Sequence, residues 1–149
     1  MSDDRLLEFL RKNKFHQTTL QPQGICLMVN ALWHKMQHLE FNAFGGELDA
    51  GTIVGGLSYL MGLSPFNTRF HAFTTHFQNA IGVQPDDRCV LIAPHTEMFT
   101  LLQDSLHAIE KEDAKVVKVF SVLDHEKDVA EKLAEKDIEF EALVKGSQL

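Results

Sequence analysis

The chain has 149 residues, 44% of them hydrophobic, which is enough for one domain with a true core and too few for two ordinary ones. A formal net charge of −7 argues against a nucleic-acid backbone as the main partner, because such binding needs clustered Lys and Arg to neutralise phosphates. No apolar run approaches the roughly 18 residues of a membrane span, and the opening MSDDRLLEFLR puts acids where a secretory signal needs a basic start. A cytoplasmic protein with neither a nucleic-acid nor a membrane partner is expected.

Residues 3–12 carry Leu6, Leu7, Phe9 and Leu10 at helical spacing behind Ser2 and Asp3, either of which can cap a helix. Residues 25–39 place Met28, Leu32, Met36 and Leu39 on one stripe and predict a second helix. Residues 40–44 then read as a short strand ending in a glycine turn at Gly45 and Gly46. Residues 50–61, apolar with many small side chains, suit a helix pressed against a sheet. After the break at residues 62–65 comes a strand over 69–73. The turn at 83–88 leads into Cys89-Val90-Leu91-Ile92-Ala93, a continuous apolar run of the kind a parallel strand covered on both faces requires. Further segments follow in alternation: a helix over 98–111, a buried strand over 116–123, a charged helix over 124–136 with Val129 and Leu133 inward, and a strand over 138–144. Strand and helix alternating with helices of about a dozen residues give parallel βαβ units, so the fold class is α/β.

Two cysteines, Cys26 and Cys89, lack metal-type spacing and are expected reduced and buried. Eight histidines are scattered. His34 and His38, at i and i+4, can share a helical face but have no third ligand near them in sequence, so no metal site is expected.

Several segments resemble orotate phosphoribosyltransferases. Asp86-Asp87-Arg88-Cys89-Val90-Leu91-Ile92 is similar to that family's entry into a central strand, and Ala114-Lys115-Val116-Val117 to the entry into the next. Val122-Leu123-Asp124 with Ala130-Glu131-Lys132-Leu133, and Ile138 through Val144, continue the likeness over the last 60 residues or so. Upstream, Phe44-Gly45-Gly46-Glu47-Leu48-Asp49-Ala50-Gly51 looks like the family's diphosphate loop, and Phe15-His16-Gln17-Thr18-Thr19-Leu20 like its N-terminal segment. The resemblance implies a phosphoribosyltransferase-type, Rossmann-like parallel sheet flanked by helices, with a reduced N-terminal hood, as a single domain over residues 1–149. It also implies a homodimer.

The departures fall on the parts that do chemistry. In the family, the strand matching Cys89 to Ile92 ends in two acids that engage the ribose. A glycine-rich, hydroxylated turn follows and holds the 5-phosphate at a helix N-terminus. Here the acid positions hold Ala93 and Pro94, and the turn reads Glu97-Met98-Phe99-Thr100-Leu101. Side chains at Phe99 and Thr100 fill space the backbone needs for phosphate, and Glu97 after Thr96 puts a negative charge at the dipole end that phosphate would use. The mobile loop, falling between Asn67 and Ile81, keeps Arg69 as its basic residue, and the base-binding segment is replaced by Gln21-Pro22-Gln23-Gly24. If ligand binding survives, the resemblance assigns it to Gly45, Gly46, Glu47, Gly51 and Arg69, with magnesium needed only for phosphoribosyl diphosphate; otherwise no cofactor is expected. These departures point to an orotate phosphoribosyltransferase-like pseudoenzyme acting through self-association, a partner protein or a small ligand.

Two alternatives stand beside it. One is an active phosphoribosyltransferase, or another enzyme binding a nucleotide or phosphosugar, built on the 45–51 loop. The other comes from Gly24-Ile25-Cys26 with Trp33 seven residues on, which resembles the nucleophile helix of papain-like thiol peptidases. A thiolate at Cys26 would then need His107 as base and Asp124 as its orienter.

Overall fold

In the two long apolar runs, successive side chains point to opposite faces of the sheet, and both faces are covered. Val90 and Ile92 of one run and Phe120 and Val122 of the next lie on one side; Cys89, Leu91 and Val119 lie on the other. A computed structural model describes residues 2–18, 21–62, 69–96, 99–125 and 128–149. Its elements in chain order are α1 (Ser2–Lys12), α2 (Phe15–Thr18), α3 (Pro22–Met36), β1 (Ala43–Glu47) and, after a 3-10 turn at Leu48–Ala50, α4 (Gly51–Met61). Then come β2 (His71–His76), β3 (Asn79–Ile81), β4 (Arg88–His95), α5 (Phe99–Glu110), β5 (Lys115–Asp124), α6 (Val129–Ala134) and β6 (Glu139–Lys145). They form one six-stranded sheet in the order β3-β2-β1-β4-β5-β6, parallel throughout except for the β2–β3 hairpin at its edge.

The α/β expectation holds, with a core on each face. Leu6, Met28, Leu32, Met36, Ile53 and Leu57 pack from α1, α3 and α4 against one face, and Leu102, Leu106, Ile109, Val129 and Leu133 from α5 and α6 against the other. A bulge between Cys89 and Val90 shifts the β4–β5 register, which turns both Val116 and Val119 toward α5 and α6. Each large side chain buried in these layers contributes roughly 1.5–3 kcal/mol.

Several boundaries differ from those expected. Helix α3 begins at Pro22, whose missing N–H costs nothing in a first turn, and ends before His38. Gly45 and Gly46 lie within β1 and make no turn. A Cβ on Gly45 would stand 2.0 Å from the Phe73 carbonyl oxygen, and one on Gly46 2.2 Å from that of Ile92, so glycine is required there by the neighbouring strands. The strand expected at 69–73 runs from His71 to His76. The expected mobile loop is, over its described part, the β2–β3 hairpin; residues 63–68, including Asn67, lie outside the described residues. The helix expected from 124 to 136 is confined to Val129–Ala134, because β5 continues through Asp124. Glu126 and Lys127 also lie outside the described residues. Cys89 is buried as expected, and burial together with the nearby Asp87 charge pushes its thiol to about 12; Cys26 is exposed, contrary to expectation.

The strand entries are tied together by Asp87, which is 4% exposed. Its carboxylate accepts hydrogen bonds from the Gln84 N–H (2.8 Å) and the Asn42 side-chain amide (2.9 Å), and meets His71 Nε2 at 2.8 Å. Its carbonyl accepts from the Lys115 N–H at 2.9 Å. Burial pushes the Asp87 carboxyl up, but the bonds from Gln84, Asn42 and His71 outweigh it and hold the group below the ordinary range. The sign follows from linkage: a depressed folded pKa stabilises above the unfolded value of about 3.9 and loses that contribution as pH falls through the folded value. Asp87→Ala is expected to cost about 1–3 kcal/mol in urea unfolding at pH 7, because three part-buried donors from three segments lose their shared acceptor. Asp87→Asn should flatten the loss of stability below about pH 4.

Candidate functional site

In open α/β sheets a crevice forms at the carboxyl ends of the strands, where successive connections leave in opposite directions. Here β1 connects through α4 to β2 on one side, while β4 connects through α5 to β5 on the other, so that position lies between β1 and β4. A cavity of about 110 Å³ opens there, lined by Glu47 and Asp49 from the β1 end, Leu91 through Thr96 from β4 and its exit, and Leu102 and Ser105 from α5.

Glu47 is the most connected polar group of this cavity. Its carboxylate lies 3.3 Å from Thr75 Oγ1 and 3.5 Å from Ser105 Oγ, one of which donates to it while the other donates to its fellow hydroxyl, and it meets His76 Nδ1 at 3.1 Å. Thr75 and Ser105, both buried, share a 2.8 Å hydrogen bond. This ties β1, β2 and α5 together at the rim. Asp49 is open to solvent on its outer side, yet burial against the cavity raises its carboxyl pKa; His95 opposes that shift and Glu47 reinforces it. On the other rim Thr96 Oγ1 donates to Asp124 Oδ1 at 2.7 Å. The His95 ring stands edge-on to Phe15, with centroids 5.2 Å apart, and lies 6.0 Å from that of His125. The lining therefore presents two carboxylates, one imidazole and two hydroxyls over an apolar floor. Among the described residues it holds no Lys or Arg, and no cluster of side chains fit to hold a metal ion occurs.

By sequence the chain matches no family model and no curated protein. Its structure matches many. The orotate phosphoribosyltransferase of Mycobacterium tuberculosis H37Rv, in complex with 5-phospho-alpha-D-ribosyl 1-diphosphate, aligns with TM-score 0.81 at 14% identity, over 99% of this chain and 98% of that one. A phosphoribosyltransferase from Corynebacterium diphtheriae gives TM-score 0.82 at 17% identity, over 99% and 98%. The adenine phosphoribosyltransferase of Leishmania tarentolae gives 0.72 at 13%, over 91% and 77%. The chain has the phosphoribosyltransferase fold. The six-stranded sheet and its flanking helices are those of that fold.

On this phosphoribosyltransferase fold the expected ligand residues separate. Gly46 and Glu47 reach the cavity end of β1, and Gly51 opens α4 with nothing within 4 Å of where a Cβ would stand. Arg69 does not join them. It precedes β2, and since Thr75 is the partner of Glu47, six residues of extended chain, about 20 Å, separate Arg69 from the cavity end; its guanidinium lies over Phe70 at 5.0 Å. Ala93 and Pro94 line the cavity as the last part of β4. Proline is tolerated there because β1 pairs with β4 only as far as Leu91. Phe99 and Thr100 begin α5, while Glu97 and Met98 lie outside the described residues. The thiol-peptidase arrangement is overturned: Cys26 on α3 and His107 on α5 belong to helices on opposite faces of the sheet, and Asp124 is engaged by Thr96. His34 is in α3 and His38 beyond its end, so the helical pair does not form.

Asp49, His95, Thr75, His76 and Ser105 were not singled out from the sequence as site residues. For Asp49 and His95 a signal existed, since each follows the carboxyl end of a predicted parallel strand. Gly45→Ala is expected to destabilise by about 3 kcal/mol or more, because the Phe73 carbonyl cannot yield. Gly51→Ala, at a helical φ of −53° with open space around it, should be neutral or gain up to about 1 kcal/mol. Asp49→Asn should raise the thermal midpoint at pH 7. A raised folded pKa means that ionisation costs stability above the unfolded value, so the gain should vanish below about pH 4.

Proposed function

We propose that this chain is an orotate phosphoribosyltransferase-like protein that no longer transfers a phosphoribosyl group and acts in the cytoplasm through self-association, with a partner protein or small ligand as further contacts. The observation that carries the reading is the charge of the cavity at the switch between β1 and β4. Among the described residues its lining includes the Glu47 and Asp49 carboxylates and no Lys or Arg, and Ala93 and Pro94 stand where the resemblance puts the ribose-binding acids. At an effective dielectric constant of about 20, a unit of like charge at about 5 Å costs roughly 3 kcal/mol. A phosphorylated sugar bearing several negative charges meets that penalty with no basic side chain among the described lining residues to offset it.

A second reading is favoured by Gly51. Nothing in the packing requires a glycine there, and it opens α4, whose N-terminal end carries the positive end of the helix dipole. On that reading Gly46, Glu47 and Gly51 bind a diphosphate with magnesium, and the protein is an active transferase or nucleotide-binding enzyme.

One titration separates the two. The protein is incubated with phosphoribosyl diphosphate and magnesium, with and without orotate and other nucleobases, while pyrophosphate release and thermal stability are followed. No release and no stabilisation are expected. A ligand present at a hundred times its dissociation constant would stabilise by about 2.7 kcal/mol, so a shift of that size with phosphoribosyl diphosphate or pyrophosphate, lost in Gly51→Glu, would establish the second reading.

A further inference from the structure

The cavity between β1 and β4 combines apolar surface with oxygens that have acceptor capacity to spare. Leu91, Ala93 and Leu102 reach it from the hydrophobic layer that α5 and α6 make with the sheet, while Glu47, Asp49 and Ser105 bring oxygens to it. Thr75 and Ser105 have one hydroxyl hydrogen each. Thr75 stands nearer the Glu47 carboxylate, at 3.3 Å against 3.5 Å for Ser105, and the two hydroxyls are 2.8 Å apart. Thr75 therefore donates to Glu47, and Ser105 donates to Thr75. Ser105 is 3% exposed, yet in this arrangement its oxygen accepts from no group among the described residues, and a buried acceptor without a donor is uncommon in folded proteins. Glu47 also has room: of about four lone-pair sites on its carboxylate, one receives a hydroxyl and one meets His76.

We infer that this cavity binds a small organic cation, a primary alkylammonium that places its N–H donors on Glu47, Asp49 and Ser105 and its hydrocarbon chain on Leu91, Ala93 and Leu102. The inference deepens the small ligand of the proposed function and rests on the reading that phosphoribosyl diphosphate is no longer used there. Charge, donor number and apolar lining each narrow the class. The Glu47 charge is one cause of the raised Asp49 carboxyl, so a cation beside the two acids relieves a repulsion to which an anion would add. A primary ammonium has three N–H donors and no acceptor, which suits three oxygens; a quaternary ammonium brings the charge without the donors. The apolar lining selects a monoamine over a diamine, because a second charge at the far end would be desolvated against Leu91 and Leu102 with no partner. A bare metal ion does not fit, since among the described residues no group of three side chains could hold one. Size sets the length. A cavity of about 150 Å³ holds a benzene-sized guest, so one of about 110 Å³ suits a nitrogen and a chain of about four carbons.

The test is a thermal titration of the full chain with n-butylammonium at constant ionic strength, run beside n-butanol, butyrate, tetramethylammonium and the four-carbon diammonium, with amide chemical shifts followed by NMR. n-Butylammonium is expected to bind with a dissociation constant of about a millimolar and to raise the thermal midpoint by about 3–6 °C at ten times that concentration. The four comparison compounds should each bind about tenfold more weakly or worse. Glu47→Gln, which removes the charge, and Ala93→Leu, which fills the cavity, should each weaken n-butylammonium about tenfold or more, their folds being checked by circular dichroism. Amide shifts should be confined to residues 47–49, 91–96 and 102–105. No stabilisation by n-butylammonium, an equal effect of butanol or tetramethylammonium, or amide shifts spread over the acidic surface would overturn the inference. Pyrophosphate release from phosphoribosyl diphosphate, followed separately, would overturn the loss of transfer on which the inference rests. An inert n-butylammonium with no such release would leave that loss standing and overturn the inference alone.

Discussion

Asp87 sets the geometry on which everything else in this molecule depends. Its carboxylate and carbonyl join the turn before β4 to the residue before β1, the first residue of β2 and the first residue of β5. Asn42 completes the arrangement: its side-chain oxygen accepts from the Arg88 N–H at 2.7 Å, and its main chain bonds to Arg88 and His71. Four strands therefore start level. Because strand length is set by a fixed rise per residue, strands that start in register also end in a predictable stagger, and it is at those ends that Glu47, Thr75, His95 and Asp124 meet. A buried carboxylate at one edge of the sheet thus positions a functional edge some 15–20 Å away.

The polar groups at the two edges are used differently. At the entry edge every oxygen of Asp87 accepts from a backbone, amide or imidazole donor, and the carboxyl is held below its ordinary range. At the exit edge the acids are close to one another, Asp49 is held above its range, and the nearest opposing group is an imidazole. The first arrangement stabilises a fold. The second leaves unfavourable electrostatics in place at the mouth of the cavity.

What the sequence reveals and what it conceals follow from how local each constraint is. β4 and β5 are legible because a strand covered on both faces must be apolar at every position, and the cores on the two sides use alternate residues of those runs. α4 is legible from its small and apolar residues. Gly45 and Gly46 are misleading: a glycine pair normally signals a turn, and only the carbonyls of Phe73 and Ile92, contributed by strands far away in sequence, explain why side chains are excluded inside β1. β3 is three residues long and offers no periodicity. The cavity was half legible. The departures at Ala93 and Pro94 mark its position, but Asp49 and His95 are brought together by strand order, which no window of sequence contains. Arg69 illustrates the opposite error, a plausible residue at the wrong end of its strand.

Leu48 connects the two surfaces this molecule presents. It stands between Glu47 and Asp49, both of which line the cavity, while its own side chain points to solvent at the start of the outward stripe of α4. Whatever covers Leu48 also restricts the 3-10 turn that carries Asp49, and whatever fills the cavity acts on the same turn from inside. Two binding events that act on one short segment are thermodynamically linked, and the factor by which the first alters the second must equal the factor by which the second alters the first. An occupied cavity would therefore alter how readily Leu48 can be covered from outside, without any chemical step taking place.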